Sequence, residues 1–179
     1  MRFLAIIFLC VAAAVVYGVV HDQITARICV EYFTIGHPPV FQTNDPTLLG
    51  LGWGIIATWW VGLPLGVALA VSSRLGSRPK IGVQQLARPL VLMLSCVGLL
   101  ALLAGLAGHF SAKRHWVWLL EPLASRIPAD KHVAFLTDLW AHSASYIGGF
   151  LGGVTLCVWA VFRRKRLGIL AAQQAGEKK

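Results

Sequence analysis

Six histidines, His21, His37, His109, His115, His132 and His142, lie in or beside two polar stretches between apolar runs. Imidazole is a ligand for zinc, copper, iron or nickel, and it titrates near neutral pH. His21 is followed by Asp22 where the first apolar run ends, and His109 closes the third run. Asp138 and His142 stand four residues apart where the fourth begins, and so share one helical face. Brought to one level, His21, Asp22, His109, Asp138 and His142 form a candidate transition-metal site. In an alternative arrangement Asp138 orients His142 from behind. His21 or His109 opposite His142 offers an axial pair for haem b, but at the rim of the spans, shallower than haem iron normally sits. The same residues also admit a structural role, since histidines at helix ends commonly bridge apolar core and water.

Other chemistries lack their residues. The chain has no His-Glu-x-x-His, no His-x-His, and none of the paired Glu-x-x-His motifs of di-iron bundles. Ser143 and Ser145 lie near His142 and Asp138, but positions one and three along a helix do not face each other, so a hydrolytic triad is unsupported. No phosphate-cradling loop or dinucleotide fingerprint occurs. Gly148-Gly149 and Gly152-Gly153 fall inside an apolar run. Of Cys10, Cys29, Cys96 and Cys157, only Cys29 lies in an outer segment, so no outer pair is available for a disulfide. Cys10 reads as a core residue. An enzyme is therefore the less favoured class.

The elements that position these residues are membrane helices. The chain has 179 residues, 57% hydrophobic and 13% charged, with mean hydropathy +0.70. A soluble domain has about 25% charged residues. The composition predicts an all-α polytopic membrane protein: one membrane domain over 1–179, a four-helix transmembrane bundle with a partly helical periplasmic cap. The predicted spans are about 3–20, 47–72, 89–108 and 140–162, each near the 20 residues a spanning helix needs. Outer segments 21–46 and 109–139 and inner segments 73–88 and 163–179 join or flank them. The first span reads as an uncleaved helix, because Val15 to Val20 stays apolar beyond Ala12-Ala13-Ala14.

The net charge of +9 is arranged as a topology signal, not as a nucleic-acid surface, and no nucleic-acid partner is expected. Eleven of the sixteen lysines and arginines fall on one side: Arg2, Arg74, Arg78, Lys80, Arg88, Arg163, Arg164, Lys165, Arg166, Lys178 and Lys179. The positive-inside rule then places both termini in the cytoplasm. No ionisable residue lies at the middle of a span, which argues against an ion-coupled transporter made of this chain alone.

In the outer segments, His21 to Phe33 can prolong the first helix until Gly36-His37-Pro38-Pro39 stops it. Arg27 and Glu31 are spaced to pair. Asn44-Asp45-Pro46 reads as a cap into the second span. Ala112 to Ile127 reads as an amphipathic helix interrupted at Pro122, and Pro128 opens the helix that becomes the fourth span.

Small residues at every fourth position mark close helix packing. The second span carries Gly50, Gly54, Thr58, Gly62 and Gly66, and the fourth carries Ser145, Gly149 and Gly153. Such faces also suit another membrane protein or a second copy of the chain. Pro64 is the expected kink. Trp59 and Trp60, near mid-span, are expected to pack across the bundle or to line a cavity for a lipid or quinone.

The run His21-Asp22-Gln23-Ile24-Thr25-Ala26-Arg27-Ile28-Cys29-Val30-Glu31-Tyr32-Phe33-Thr34-Ile35-Gly36-His37-Pro38, together with Gly52-Trp53-Gly54 and Ala57-Thr58-Trp59-Trp60-Val61-Gly62, resembles a group of uncharacterised bacterial integral membrane proteins. The resemblance is clearest over about residues 17–70. It implies a bacterial cytoplasmic (inner) membrane setting and no activity. Gln23, Thr25, Arg27, Glu31, Tyr32 and His37 are expected to form a cap or binding surface. The leading expectation is a non-enzymatic accessory or binding protein surrounded by membrane lipid. The alternatives are a membrane metalloprotein or haem protein using the outer histidines, and a lipid- or quinone-binding protein.

Overall fold

A computed structural model describes residues 2–177; Lys178 and Lys179, counted above among the basic residues, lie outside the described residues. The protein is all-helical, and four of its helical stretches are long and apolar enough to cross a membrane: Arg2–Ile28, Pro46–Arg74, Val83–Lys113 and Ala129–Gly176. In chain order the helices are α1 (Arg2–Ile28), α2 (Val30–Thr34), α3 (Pro46–Ile56), α4 (Trp59–Arg74), α5 (Val83–Lys113), α6 (Leu123–Arg126), a 3-10 turn (Ala129–Lys131) and α7 (His132–Gly176).

The helix boundaries follow from local chemistry. Asp45 caps α3, its Oδ1 accepting from Thr47 N–H at 2.8 Å and Leu48 N–H at 2.9 Å, with Pro46 at the first helical position. The helix from His21 continues only to Ile28. Cys29 is extended (φ −147, ψ 100), and the short α2 turns Tyr32 and Phe33 back over the bundle. This break also undoes the expected Arg27–Glu31 pair, because the two residues no longer share a helix. Arg27 donates instead to Gln23 Oε1 at 2.8 Å and Thr47 Oγ1 at 2.9 Å.

The second span breaks at Ala57-Thr58 and not at Pro64, which lies inside α4. The Thr58 hydroxyl donates to the Gly54 carbonyl and so competes for the helical ladder. The helix expected over Ala112 to Ile127 is largely absent. His115 takes the left-handed region (φ 57), and its N–H bonds Ala112 O while Trp116 N–H bonds Ser111 O. That closes α5 with the paired 5→2 and 6→1 bonds of a Schellman turn, and only α6 is helical beyond it. Pro128 opens the path into α7 as expected.

Two antiparallel helix pairs make the bundle: α1 packs along α3 and α4, and α5 packs along α7. The glycine ladder of the second span is the seam of the first pair. A Cβ at Gly62 would stand 2.9 Å from Val11 Cα and 3.0 Å from the Cys10 carbonyl oxygen; one at Gly66 would be 3.1 Å from Ile7 Cα. Backbones this close gain dispersion without needing a hydrophobic drive. Ser145 accepts or donates a 2.8 Å bond with the Tyr17 hydroxyl, and Gly153 receives Leu65. Gly149, by contrast, faces open space. The large apolar side chains left over point outward, among them Phe8, Leu99, Leu102, Phe150 and Leu151.

The buried apolar side chains form two clusters. One gathers Cys29, Tyr32, Phe33, Leu49, Trp53, Phe135 and Leu136 at the end bearing the histidines. The other gathers Ile6, Leu69, Ile81, Leu86, Leu156 and Ala160 at the basic end. Between them, where the two helix pairs meet, lies a cavity of about 110 Å³.

Candidate metal centre

α1 and α7 carry the site. His21 and Asp22 stand on the last two turns of α1, and His142 projects from α7 to meet them. One potential ligand atom from each of His21, Asp22 and His142 lies within 4.8 Å of the other two. Asp22 is 5% exposed and His142 7%, and all three side chains line the head of the cavity.

The geometry fixes how His142 presents itself. Its Nδ1 lies 2.8 Å from the backbone carbonyl of Asp138. A carbonyl only accepts, so Nδ1 carries a hydrogen and donates. In the neutral ring the Nε2 lone pair then points out, and it meets Asp22 Oδ1 at 3.2 Å. Two acceptors facing each other at that distance require a proton or a cation between them. Ligands around a tetrahedral ion with bonds of about 2.0–2.1 Å stand roughly 3.3 Å apart, so the pair is already at ligand spacing. The Nδ1–H···O=C bond is also the usual support behind a metal-bound histidine.

Rings hold this imidazole in place. Tyr32 stacks on it at 4.4 Å between centroids, Phe33 meets it edge-on at 5.6 Å, and His21 crosses it at 4.5 Å. His37 repeats the tautomer logic, with Nδ1 2.8 Å from the Tyr32 carbonyl and its ring against Trp53 at 4.6 Å. Burial pushes the His37 pKa below its ordinary value, and the Tyr32 carbonyl only partly offsets this. Burial also raises the Tyr32 phenol and pushes the Cys29 thiol up to about 12.

Several polar atoms at this end are left without partners. His21 Nε2 and both carboxylate oxygens of Asp138 are buried and make no hydrogen bond, and Asp138 is 0% exposed. Buried polar atoms are nearly always paired, because an unpaired one forfeits its hydration. A cation at this level would satisfy the His21 nitrogen directly, and its charge would offset the Asp138 carboxylate beside Asp22.

The five residues read as metal ligands separate into two groups. His21, Asp22 and His142 converge. Asp138 stands behind, its carbonyl orienting His142. His109 turns away and pairs with Thr137 Oγ1 at 3.3 Å. His132 is bound to the Ile127 carbonyl at 3.0 Å and His115 closes α5, so both serve the fold. Of the expected cap residues, Tyr32 and His37 join the site. Thr25 bonds back to the His21 carbonyl, and Gln23 and Arg27 fasten α1 to Thr47. Glu31 accepts from the Cys29 thiol at 3.5 Å.

Trp59 and Trp60 are 47% and 55% exposed and face away from the cavity. The indole that lines it is Trp53. The four-residue ladder sets Trp60 apart, since it lies two positions, about 200°, from Gly62, but Trp59 stands as close to the stripe as Trp53 does, so spacing alone does not separate those two. The cavity's far half is apolar, lined by Cys10, Leu69, Leu90 and Leu156. Its 110 Å³ is well under the roughly 300 Å³ at which sites for drug-sized ligands begin. A porphyrin does not fit there; an ion with a few waters does.

No protein-family profile, curated protein or solved structure matches this chain.

Proposed function

We propose that this chain is a membrane protein whose function is to bind a divalent transition-metal ion at one end of its bundle. His21 and His142 supply imidazole nitrogens and Asp22 a carboxylate oxygen. The observation that carries this reading is the 3.2 Å approach of His142 Nε2 to Asp22 Oδ1 while Nδ1 is committed to a carbonyl. Two nitrogens and one carboxylate suit zinc, iron or nickel. They leave coordination positions facing the cavity, where waters or a small ligand complete the shell. The role is binding or accessory: the Tyr17 and Ser145 hydroxyls that line the same cavity are bonded to each other at 2.8 Å.

The test is elemental analysis and zinc titration of the full chain, purified in mild detergent without a histidine tag. We expect close to one equivalent, with affinity falling roughly 10- to 100-fold in Asp22→Asn and His142→Ala. Titration curves unchanged by either substitution would sink the reading. In a second reading the same pair shares a proton and binds no metal. The two differ in that metal binding releases protons, which a titration in weakly buffered solution registers.

The setting we propose is the bacterial cytoplasmic membrane, which the resemblance over about residues 17–70 implies, and the basic-residue bias supports both termini being cytoplasmic and the histidine end periplasmic. Reporter fusions at residues 80 and 176 should read cytoplasmic, and fusions at 40 and 125 periplasmic. The reverse pattern overturns the orientation while leaving the site intact.

A further inference from the structure

At the basic end, α5 and α7 flank a groove of about 570 Å³ lined by Gln84, Gln85, Arg88, Trp159, Arg163 and Arg166. From this groove we infer a binding site for the headgroup of an anionic phospholipid. The inference rests on reading the four helices as membrane spans.

Charge is the first argument. Three exposed guanidinium groups face one groove, and no carboxylate lines it. The single ion pair among the described residues is His142–Asp22, at the opposite end. Arginine's planar fork matches phosphate oxygens two at a time. The groove also receives Gln84 and Gln85 from the first turn of α5, and the positive end of that helix's dipole favours an anion.

Depth is the second argument. Trp159 belongs to the interfacial level of a membrane protein, and Phe162 beside it is 64% exposed. One turn further along the same helices, Val91 and Val158 are 61% and 49% exposed, a surface on which acyl chains can lie. The groove thus presents cations at headgroup depth and an apolar wall below, the pairing that distinguishes a phospholipid from a free anion. The neighbouring Arg164 takes no part, since it turns inward and is spent on backbone carbonyls.

The experiment is native mass spectrometry of the full chain in zwitterionic detergent, with phosphatidylglycerol or phosphatidylcholine added at equal concentration. We expect phosphatidylglycerol adducts to exceed phosphatidylcholine adducts roughly tenfold. The variant R88Q/R163Q/R166Q should lose that preference. The charge-matched variant R78Q/K80Q/K165Q, altered outside the groove, should keep it within about twofold. Should the triple variant not fold, R166Q alone is expected to lower the preference about threefold.

Equal loss in the charge-matched variant would mean diffuse attraction and no site, and an undiminished preference in the groove variants would equally overturn the inference. Displacement of phosphatidylglycerol by inorganic phosphate would assign the groove to a free anion. Release of the protein from membranes by alkaline carbonate is a separate result, because it defeats the spanning reading itself.

Discussion

The two halves of α7 treat a buried ionisable group in opposite ways. Arg164 is 4% exposed, and its guanidinium donates to the carbonyls of Ser72, Leu75, Arg78 and Pro79 at 2.8–3.1 Å. It thereby ties α7 to the end of α4 and the loop that follows, where unpaired helical carbonyls favour a cation. Asp138 lies 26 residues earlier, about 39 Å along the helix at 1.5 Å per residue. It is more deeply buried, yet neither oxygen has a partner. At one end the buried guanidinium is matched at every donor nitrogen, although Ser73 Oγ at the same end lacks a partner; at the other, beside the cavity, neither Asp138 oxygen nor His21 Nε2 has one. A matched polar group stabilises, whereas an unmatched one costs stability and persists at sites that do something else.

The sharpest way to break this comparison is at Arg164. Arg164→Leu leaves four carbonyls without their donor and should destabilise the protein by about 2–4 kcal/mol. Arg164→Lys keeps the charge but not the fork, so it should recover only part of that loss. Unfolding in detergent, followed by circular dichroism, measures both. If leucine is tolerated, the basic end is not held by this residue.

Glycines sharpen the same contrast. Gly62 lies against the α1 backbone, so Gly62→Ala should cost roughly 1–3 kcal/mol through forced separation of α1 and α4. Gly149 has nothing within 4 Å of an added Cβ, so Gly149→Ala should leave stability within about 0.5 kcal/mol. Equal effects would mean that the region between the helix pairs is as tightly packed as the seam.

Asp138 should show the opposite sign. Asp138→Asn removes a buried carboxylate that nothing pairs, and should stabilise the metal-free protein by about 1–2 kcal/mol. Its metal affinity should fall, because the carboxyl group that a bound cation could ionise is gone. Destabilisation of the metal-free protein by this substitution would mean that Asp138 is paired after all, and the contrast between the ends would fail.

Much of this was legible in the sequence because it depends on period and composition. The four long apolar helices, the Asp45-Pro46 cap and the ladder from Gly50 to Gly66 follow from residue type and spacing. His21, Asp22 and His142 were also legible as a set, since each stands where a polar stretch meets an apolar run. What was hidden depends on where the helices break. A one-residue break at Cys29 folds Tyr32 and Phe33 onto His142, and no turn residue announces it. His109 sits at a similar level, but its ring reaches Thr137 on α7 and not the cavity, and level alone does not give convergence. Arg164 was counted only as one of four consecutive cations. Continuing the ladder Gly153, Cys157 and Ala160 to Arg164 puts that one inside, a step the charge run concealed.

The smallest expected effect lies at the edge of the site. The His37 ring packs against Tyr32, Phe33 and Trp53, and burial favours its neutral form. Asp22 pulls in the other direction and His142 adds to the shift, but burial is the largest cause. The folded pKa is therefore below the unfolded value of about 6.5. Below that pH the unfolded chain binds more protons, so stability from His37 is full above about pH 6.5 and is lost as pH falls toward the folded pKa. Thermal unfolding of the metal-free protein, with chelator present, should show a falling midpoint between pH 7 and pH 5. The slope should be shallower in His37→Gln, which keeps a polar side chain without the titration. An identical slope in both proteins would show that His37 reaches water freely.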